Sequence, residues 1–310
     1  MKELIEDFYG ISILGFIKVN ENVYKIKCHQ CVYYLKFTDD YHLRDVVDYI
    51  DSIHLSCFVS ILKNKENDIL TVYNDCYFYI MEALEHSHGL FKEVKIKFYF
   101  EVLAFIHSRS CYNVKVNKEY FKKIYQDISC VMNERIQYYN SLMEQCESNY
   151  YRSPSQWLFL LNYYRLADSL NRAQEYLKRY MDKVCDCNSV RVCLVYRHFD
   201  YDHISLKTKK LLSIDKMHID MPIYDIYDIY QKLPDILFDL DCLSEYYLKS
   251  MHFNEEERLL LCCLLNITPI IYFEDDEISN IIKISRLLYY LDSIQSLCCQ
   301  LDEQKPREFH

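Results

Sequence analysis

Residues 194–227, LVYRHFDYDHISLKTKKLLSIDKMHIDMPIYDIY, decide how this chain folds. His198 and Asp200 follow a short apolar run. A lysine-rich turn comes next, then a second apolar run, LLSID, ending on Asp215. Pro222 and Asp225 lie just beyond. Two short strands joined by a tight hairpin bring residues about fifteen apart into contact range. Two acids at such strand ends can divide the work of phosphoryl transfer. One orients an attacking hydroxyl, and the other holds a metal ion that bridges phosphates.

Toward the N-terminus the pattern is short and alternating. Segments 11–18, 22–28 and 31–37 are rich in Val, Ile, Tyr and Phe and read as strands. Residues 41–56 carry Leu43, Val46, Val47, Ile50 and Ile53 at spacings of three and four, which predicts an amphipathic helix. Segments 69–73 and 77–81 read as two more strands. Beyond these the period becomes helical. Ile96, Tyr99, Phe100 and Leu103 share one face, and Ile106 and His107 close that helix. Residues 120–147 predict a long helix. Ser153, Pro154 and Gln156 form an N-cap, a first-turn proline and a capping box. Trp157, Leu160, Leu161 and Tyr164 then predict a buried stripe on a helix running to about Met181. Asn254 with Glu257 opens a further helix. The chain thus divides into residues 1–81, a sheet with one helix, and 82–310, mainly helical and carrying the hairpin.

The 310 residues are 51% hydrophobic by a broad count, enough for one large domain or two unequal lobes. A net charge of −10 repels a nucleic-acid backbone, so DNA and RNA are excluded as main partners. The start, MKELIEDFYG, lacks the basic end and apolar run of a secretion signal. The apolar run 259–273 is broken by Asn266, Thr268 and Pro269 and is too short to span a bilayer. These features predict a soluble, cytoplasmic protein without a membrane span. The 15 cysteines have no regular spacing and read as free thiols. Cys28 and Cys31 lie between VYKIK and VYYLKF, where they read as a hairpin turn. A single CxxC falls short of the four ligands of a zinc site. With only three glycines, the chain has no P-loop and no GxGxxG fingerprint.

In their order and separations these pieces resemble the protein-kinase-like fold over residues 8–294. They are most similar to the aminoglycoside phosphotransferase and choline kinase branch, and within it to bacterial spore-coat kinase-like proteins. The resemblance implies an α+β, two-lobed structure. Its N-lobe is a small antiparallel five-stranded sheet with one helix, and its C-lobe is mainly helical. The resemblance also implies ATP with Mg²⁺ as cofactor. Lys36, in VYYLKF, takes the place of the strand lysine that grips nucleotide phosphates. In CYFYIMEAL, Met81, Glu82 and Ala83 take the hinge, where backbone groups meet an adenine ring. EVLAFIHSRS resembles the family helix that ends in a histidine, here His107. HFDYDHISL resembles the catalytic loop, with His198 and Asp200, and LLSIDKM resembles the metal-binding strand end, with Asp215.

The chain departs from the family in three places. The family loop reads His-Gly-Asp, four residues, then Asn; here Phe199 replaces the glycine. Counting from Asp200 puts Ser205 at the asparagine position, whereas matching HISL puts His203 there. Mg²⁺ is a hard ion that prefers oxygen, so imidazole is a poor substitute. The front helix offers Asp45, Asp48 and Asp51 but no glutamate to pair with Lys36. The turn at 18–24, KVNENVY, has no glycine to let backbone approach a phosphate.

These departures predict a degenerate, pseudokinase-like protein acting as a structural or interaction component with protein partners, of the spore-coat kind. The alternative is an active ATP-dependent phosphotransferase acting on a hydroxyl of a small molecule or sugar. Lys36 would then hold phosphates and Asp200 orient the hydroxyl, while Asp215, with His203, would hold Mg²⁺. Asp200 reads equally as a general base and as an anchor of its own loop. Asp215 reads equally as a metal ligand and as a strand-end anchor. His198 and His107 read as buried structural histidines, and Asp225 as a helix cap. Tyrosine pairs such as Tyr138-Tyr139, Tyr150-Tyr151 and Tyr289-Tyr290 offer one ring to the core and one to partners.

Overall fold

Val, Ile, Tyr and Phe at alternate positions make the front of the chain a sheet, because such side chains suit a pleated, half-buried surface. The computed structural model describes residues 1–74, 76–84, 92–232 and 241–303. The chain separates into two units, Met1–Arg109 with Tyr196–His218, and Ser110–Val195 with Ile219–His310.

In the first unit, α1 (Lys2–Tyr9) precedes three antiparallel strands, β1 (Ile13–Lys18), β2 (Val23–Cys28) and β3 (Val32–Thr38). Then come α2 (Leu43–Ser52), β4 (Ile61–Leu62), β5 (Thr71–Tyr73) and β6 (Cys76–Glu82). α3 (Lys92–Ser110) follows. The sheet order is β1-β2-β3-β6-β4, with β5 also paired to β6. This is the expected antiparallel sheet with its helix, enlarged from five strands to six. The added strand, β4, has two residues, too few to show alternation. α1 is also new. It ends on Gly10, whose φ of 66° is the left-handed conformation that glycine adopts without a Cβ clash.

The predicted helix at 41–56 stops short, at Ser52, for a reason no glycine announces. His54 takes the left-handed conformation, with φ 55°. Its N–H donates to Asp51 O, and the Leu55 N–H reaches back to Ile50 O, both at 3.1 Å. This is a Schellman closure with histidine where glycine is usual. Between β2 and β3 the Cys28 N–H donates to Cys31 O at 3.0 Å, so the CxxC is the predicted hairpin turn.

The sheet has two different faces. One buries Ile13, Ile26, Leu35, Phe78 and Ile80 against Ile5 of α1. Pleating sends alternate side chains to the other face. There Lys36 lies opposite Tyr79, and Tyr34 opposite Met81. The unit is completed by the predicted hairpin, β9 (Ile204–Ser205) and β10 (Lys210–Leu211), flanked by 3-10 turns at Tyr201–His203 and Ile214–Lys216.

The second unit is mainly helical. β7 (Tyr112–Lys115) pairs with β8 (Ser189–Val195). Around them come α4 (Lys118–Ser148), α5 (Pro154–Val184), α6 (Ile223–Gln231), α7 (Glu255–Asn266) and α8 (Glu277–Glu303). Both predicted capping boxes are present, Ser153 with Gln156 and Asn254 with Glu257. The predicted stripe on α5 needs correction. Trp157, Leu161 and Tyr164 are exposed at 48%, 67% and 69%. The buried face instead runs through Phe159, Leu166, Leu170, Ala173, Leu177 and Tyr180. The first turns of α5 are apolar on several sides, and neighbouring helices choose among them. Asp225 is fully buried in the first turn of α6, while Pro222 takes the N-cap. A carboxylate there faces the positive end of the helix. Tyr139, Tyr247 and Tyr290 are buried, while Tyr150 and Tyr151 are both exposed. Among the described residues no helix is long and apolar enough to cross a membrane.

Candidate functional site

The loop that carries His198 and Asp200 is held from below by aromatic rings. Arg197 turns the chain with a left-handed φ of 54°, a conformation uncommon outside glycine. Just before it, the buried Tyr196 donates its hydroxyl to Leu212 O across the hairpin. Just after, Phe199 is 2% exposed and lies edge-on to Tyr99, centroids 4.7 Å apart. Lys95, itself buried, donates to Tyr201 O at 2.7 Å. Asp200 stands exposed at the rim of this loop. Its carboxylate accepts the Asp202 N–H at 2.9 Å and caps the 3-10 turn.

Lys36 meets Asp215. The ammonium donates to Asp215 Oδ1 at 2.7 Å, and each side chain is 16% exposed. Tyr79, fully buried, donates to the same oxygen at 3.5 Å. Burial pushes the Asp215 carboxyl up, but the hydrogen bond and charge of Lys36 outweigh it and hold the pKa below the ordinary value. Burial and the nearby carboxylate push the Tyr79 phenol well above its usual range, so it stays a neutral donor. No acid of α2 competes for Lys36. Asp45 faces His42, and Asp48 and Asp51 are exposed.

His198 and His203 stack edge to face at 4.3 Å. His203 Nδ1 lies 3.2 Å from His198 O, and a carbonyl only accepts, so Nδ1 carries the proton. Nε2 is then the acceptor, 3.4 Å from the Ser213 hydroxyl. Burial lowers the pKa of both rings, that of His198 to about 4, with the His203 and Lys216 charges adding to the effect. The His198 Nδ1 atom is buried without a hydrogen-bond partner.

This predicts an acid weakness. An unfolded histidine titrates near about 6.5. Between that value and the folded pKa the unfolded chain binds the extra proton, so stability falls as pH drops from about 6.5 to about 4. Partial solvent access limits the loss to about 1–2 kcal/mol. Urea unfolding compared at neutral and mildly acidic pH measures it. His198→Gln should lose less on acidification than the parent, and equal losses would remove His198 as the cause.

At the hinge, the chain already uses the backbone donors. The Glu82 N–H donates to Ser60 O at 3.2 Å and the Ala83 N–H to Val32 O at 2.9 Å. Beside them a cavity of about 850 Å³ is lined by Lys25, Cys31, Tyr34, Glu82 and Ala83, among others, but by neither Lys36 nor Asp215. Lys25 and Tyr34 are cross-strand partners, the ammonium 6.0 Å from the ring centroid.

No family model matches the chain, and no curated protein matches it in sequence. Solved structures do match. An aminoglycoside phosphotransferase from Alicyclobacillus acidocaldarius is 12% identical, with a TM-score of 0.68 over 98% of this chain and 96% of that one. The spectinomycin phosphotransferase APH(9)-Ia, in complex with ADP and spectinomycin, is 13% identical, with a TM-score of 0.55 over 95% and 92%. Its AMP complex gives 0.56 at 12% identity over 97% and 92%. The chain shares the protein-kinase-like fold of these structures.

At these identities the likeness speaks for the fold and not for a substrate. Within this kinase-like fold, Lys36, Asp215 and Tyr79 form one cluster, and His198 and His203 another. Among the described residues, no three His, Cys, Asp or Glu side chains converge to hold a metal ion. Asp215 and His203, the expected metal ligands, instead face protein partners. Ser205, the other position the resemblance offered, is engaged within its own turn. It is buried, and its hydroxyl accepts from Thr208 Oγ1 at 2.9 Å inside the hairpin turn. Mg²⁺ takes oxygen ligands, commonly one or two carboxylates with phosphates and water, and in this cluster Asp215 is the side chain that offers a carboxylate. Sequence reading missed Tyr79, Ser213 and Lys95. Tyr79 could have been found, because it precedes Met81 by two and so shares its sheet face. The other two carry no local signal.

Proposed function

We propose that this chain is a degenerate, pseudokinase-like form of the phosphotransferase fold that works by binding rather than by phosphoryl transfer. The observation that carries this reading is the missing oxygen partner for Asp215. Ser205 serves its own turn, His203 offers imidazole nitrogen, and Lys36 occupies the carboxylate. Residues 1–81 act in this reading as a nucleotide-side lobe without its usual chemistry, and residues 82–310 as the partner-facing lobe. The exposed Tyr150, Tyr151, Trp157, Leu161 and Tyr164 support a protein-contact role, of the spore-coat kind that the sequence resembles.

The test is ATP consumption with Mg²⁺ and a panel of amino and hydroxy sugars as acceptors. The expected rate equals the buffer background and is unchanged in Asp200→Asn. Turnover in the parent that falls by a factor of about 100 or more in Asp200→Asn would overturn the reading. It would establish instead an ATP-dependent phosphotransferase acting on a small-molecule hydroxyl, with Asp200 as its base.

A further inference from the structure

A separate cavity of about 310 Å³ lies wholly within the first unit, beside α2, the segment 55–63 and the β9–β10 hairpin. Its floor is apolar and buried: Ile50, Leu55, Phe58, Val59, Ile69 and Ile214. Its rim is polar: Asp51, Ser56, Ser60, Lys63 and Lys210.

Backbone bonds hold the walls, so the cavity is formed before anything enters it. The Leu211 N–H donates to Cys57 O at 2.8 Å, and the Val59 N–H to Leu211 O at 3.0 Å. The Glu82 N–H fastens Ser60 from the other side. Segment 57–60 is thus tied to two different elements.

The rim carries more positive than negative charge. Lys210 has a serine hydroxyl, Ser60 Oγ at 3.5 Å, as its partner. Lys63 makes no ion pair with any described residue and is exposed. Against these two ammoniums the rim sets one carboxylate, Asp51. An apolar floor below a cationic rim matches a molecule with a hydrocarbon body and one anionic head. A neutral chain would gain only the floor. A second charged group on the ligand would lie in apolar surroundings.

We propose that this cavity binds a medium-chain monocarboxylate, its hydrocarbon on the Phe58–Val59–Ile214 floor and its carboxylate at the Lys63–Lys210 rim. None of these side chains belongs to the Lys36–Asp215 cluster, so the inference stands apart from the question of catalysis. Ile214 is the chain neighbour of Asp215, and an occupied cavity therefore braces the backbone that carries that carboxylate.

The experiment is calorimetric titration of the full chain with decanoate below its micelle concentration, with decanol as the neutral control. One saturable site for decanoate is expected, with decanol bound about tenfold more weakly or worse. Lys63→Glu combined with Lys210→Glu should weaken decanoate by about tenfold or more, with an unchanged melting temperature in the absence of ligand. Both residues lie at the surface, so the pair of changes tests recognition rather than folding. Asp51→Asn should tighten binding. No saturable site, equal binding of decanol and decanoate, or decanoate binding unaffected by the double substitution would each overturn the proposal.

Discussion

Replacing Phe199 with alanine is expected to destabilise the chain by about 3–5 kcal/mol, the largest loss foreseen from any single change to the loop. The ring is 2% exposed and contacts Tyr99 at 4.7 Å and Tyr201 at 5.4 Å, both edge to face. Its neighbours cannot close over the gap. Lys95 fixes the Tyr201 carbonyl, and Tyr196 is bonded to Leu212. The loss therefore includes a cavity as well as transfer of the ring. Phe199→Leu keeps most of the volume and should cost under half as much. Urea unfolding reads both as shifts in midpoint at constant slope. A loss below about 1 kcal/mol for alanine would mean that the ring does not support the loop. The same experiment bears on function. The resembled family has glycine at this position, and a buried aromatic anchor replaces it.

Lys36→Met is expected to cost about 2–4 kcal/mol at neutral pH. The substitution leaves the Asp215 carboxylate mostly buried, with the Tyr79 hydroxyl as its remaining side-chain donor. Breaking a buried pair from one side is costly because a charge remains without its counter-charge, and the 16% exposure here moderates that. The effect should depend on pH in a definite direction. In the parent, Lys36 holds the folded pKa of Asp215 below the ordinary value. That contribution is complete above the unfolded carboxylate pKa of about 3.9 and is lost as pH falls through the lowered folded value. In the variant the lowering by Lys36 is gone and burial is opposed only by weaker hydrogen bonds, from the backbone and the Tyr79 hydroxyl, so the folded pKa rises and acidification relieves it. The gap between the two proteins should therefore shrink below about pH 4. A gap that stays constant from neutral to acid would assign the loss to packing of the lysine stem instead of to the ion pair.

These two residues show how unevenly the candidate site was legible. Asp200, Asp215, His198 and Lys36 stood out because each ends or interrupts a short apolar run. The hairpin between the two acids was legible as well, since strand, turn and strand follow within about fifteen residues. The resemblance set Lys36 opposite Asp215, but their direct ion pair was not legible. The acids of α2 were nearer in sequence, and only the tertiary fold brings Lys36 to a carboxylate 179 residues along the chain. The resemblance offered either Ser205 or His203 at the family's asparagine position, so His203 was legible as a candidate. That its ring would bond His198 O and Ser213 was not, because those bonds follow from the left-handed turns at Arg197 and Ser213.

By itself the sequence determined the local pieces: the alternating strands, the Cys28–Cys31 turn, the capping boxes at Ser153 and Asn254, and the helical period between them. Such signals act over a few residues and need no distant partner. Tertiary structure alone decided which face of α5 is buried, where α2 ends without a glycine, and which acid meets Lys36. A helix apolar on several sides has more than one face to bury, and an ammonium on a sheet has more than one carboxylate within reach. Packing, which sums many weak contacts between residues far apart in sequence, makes those choices.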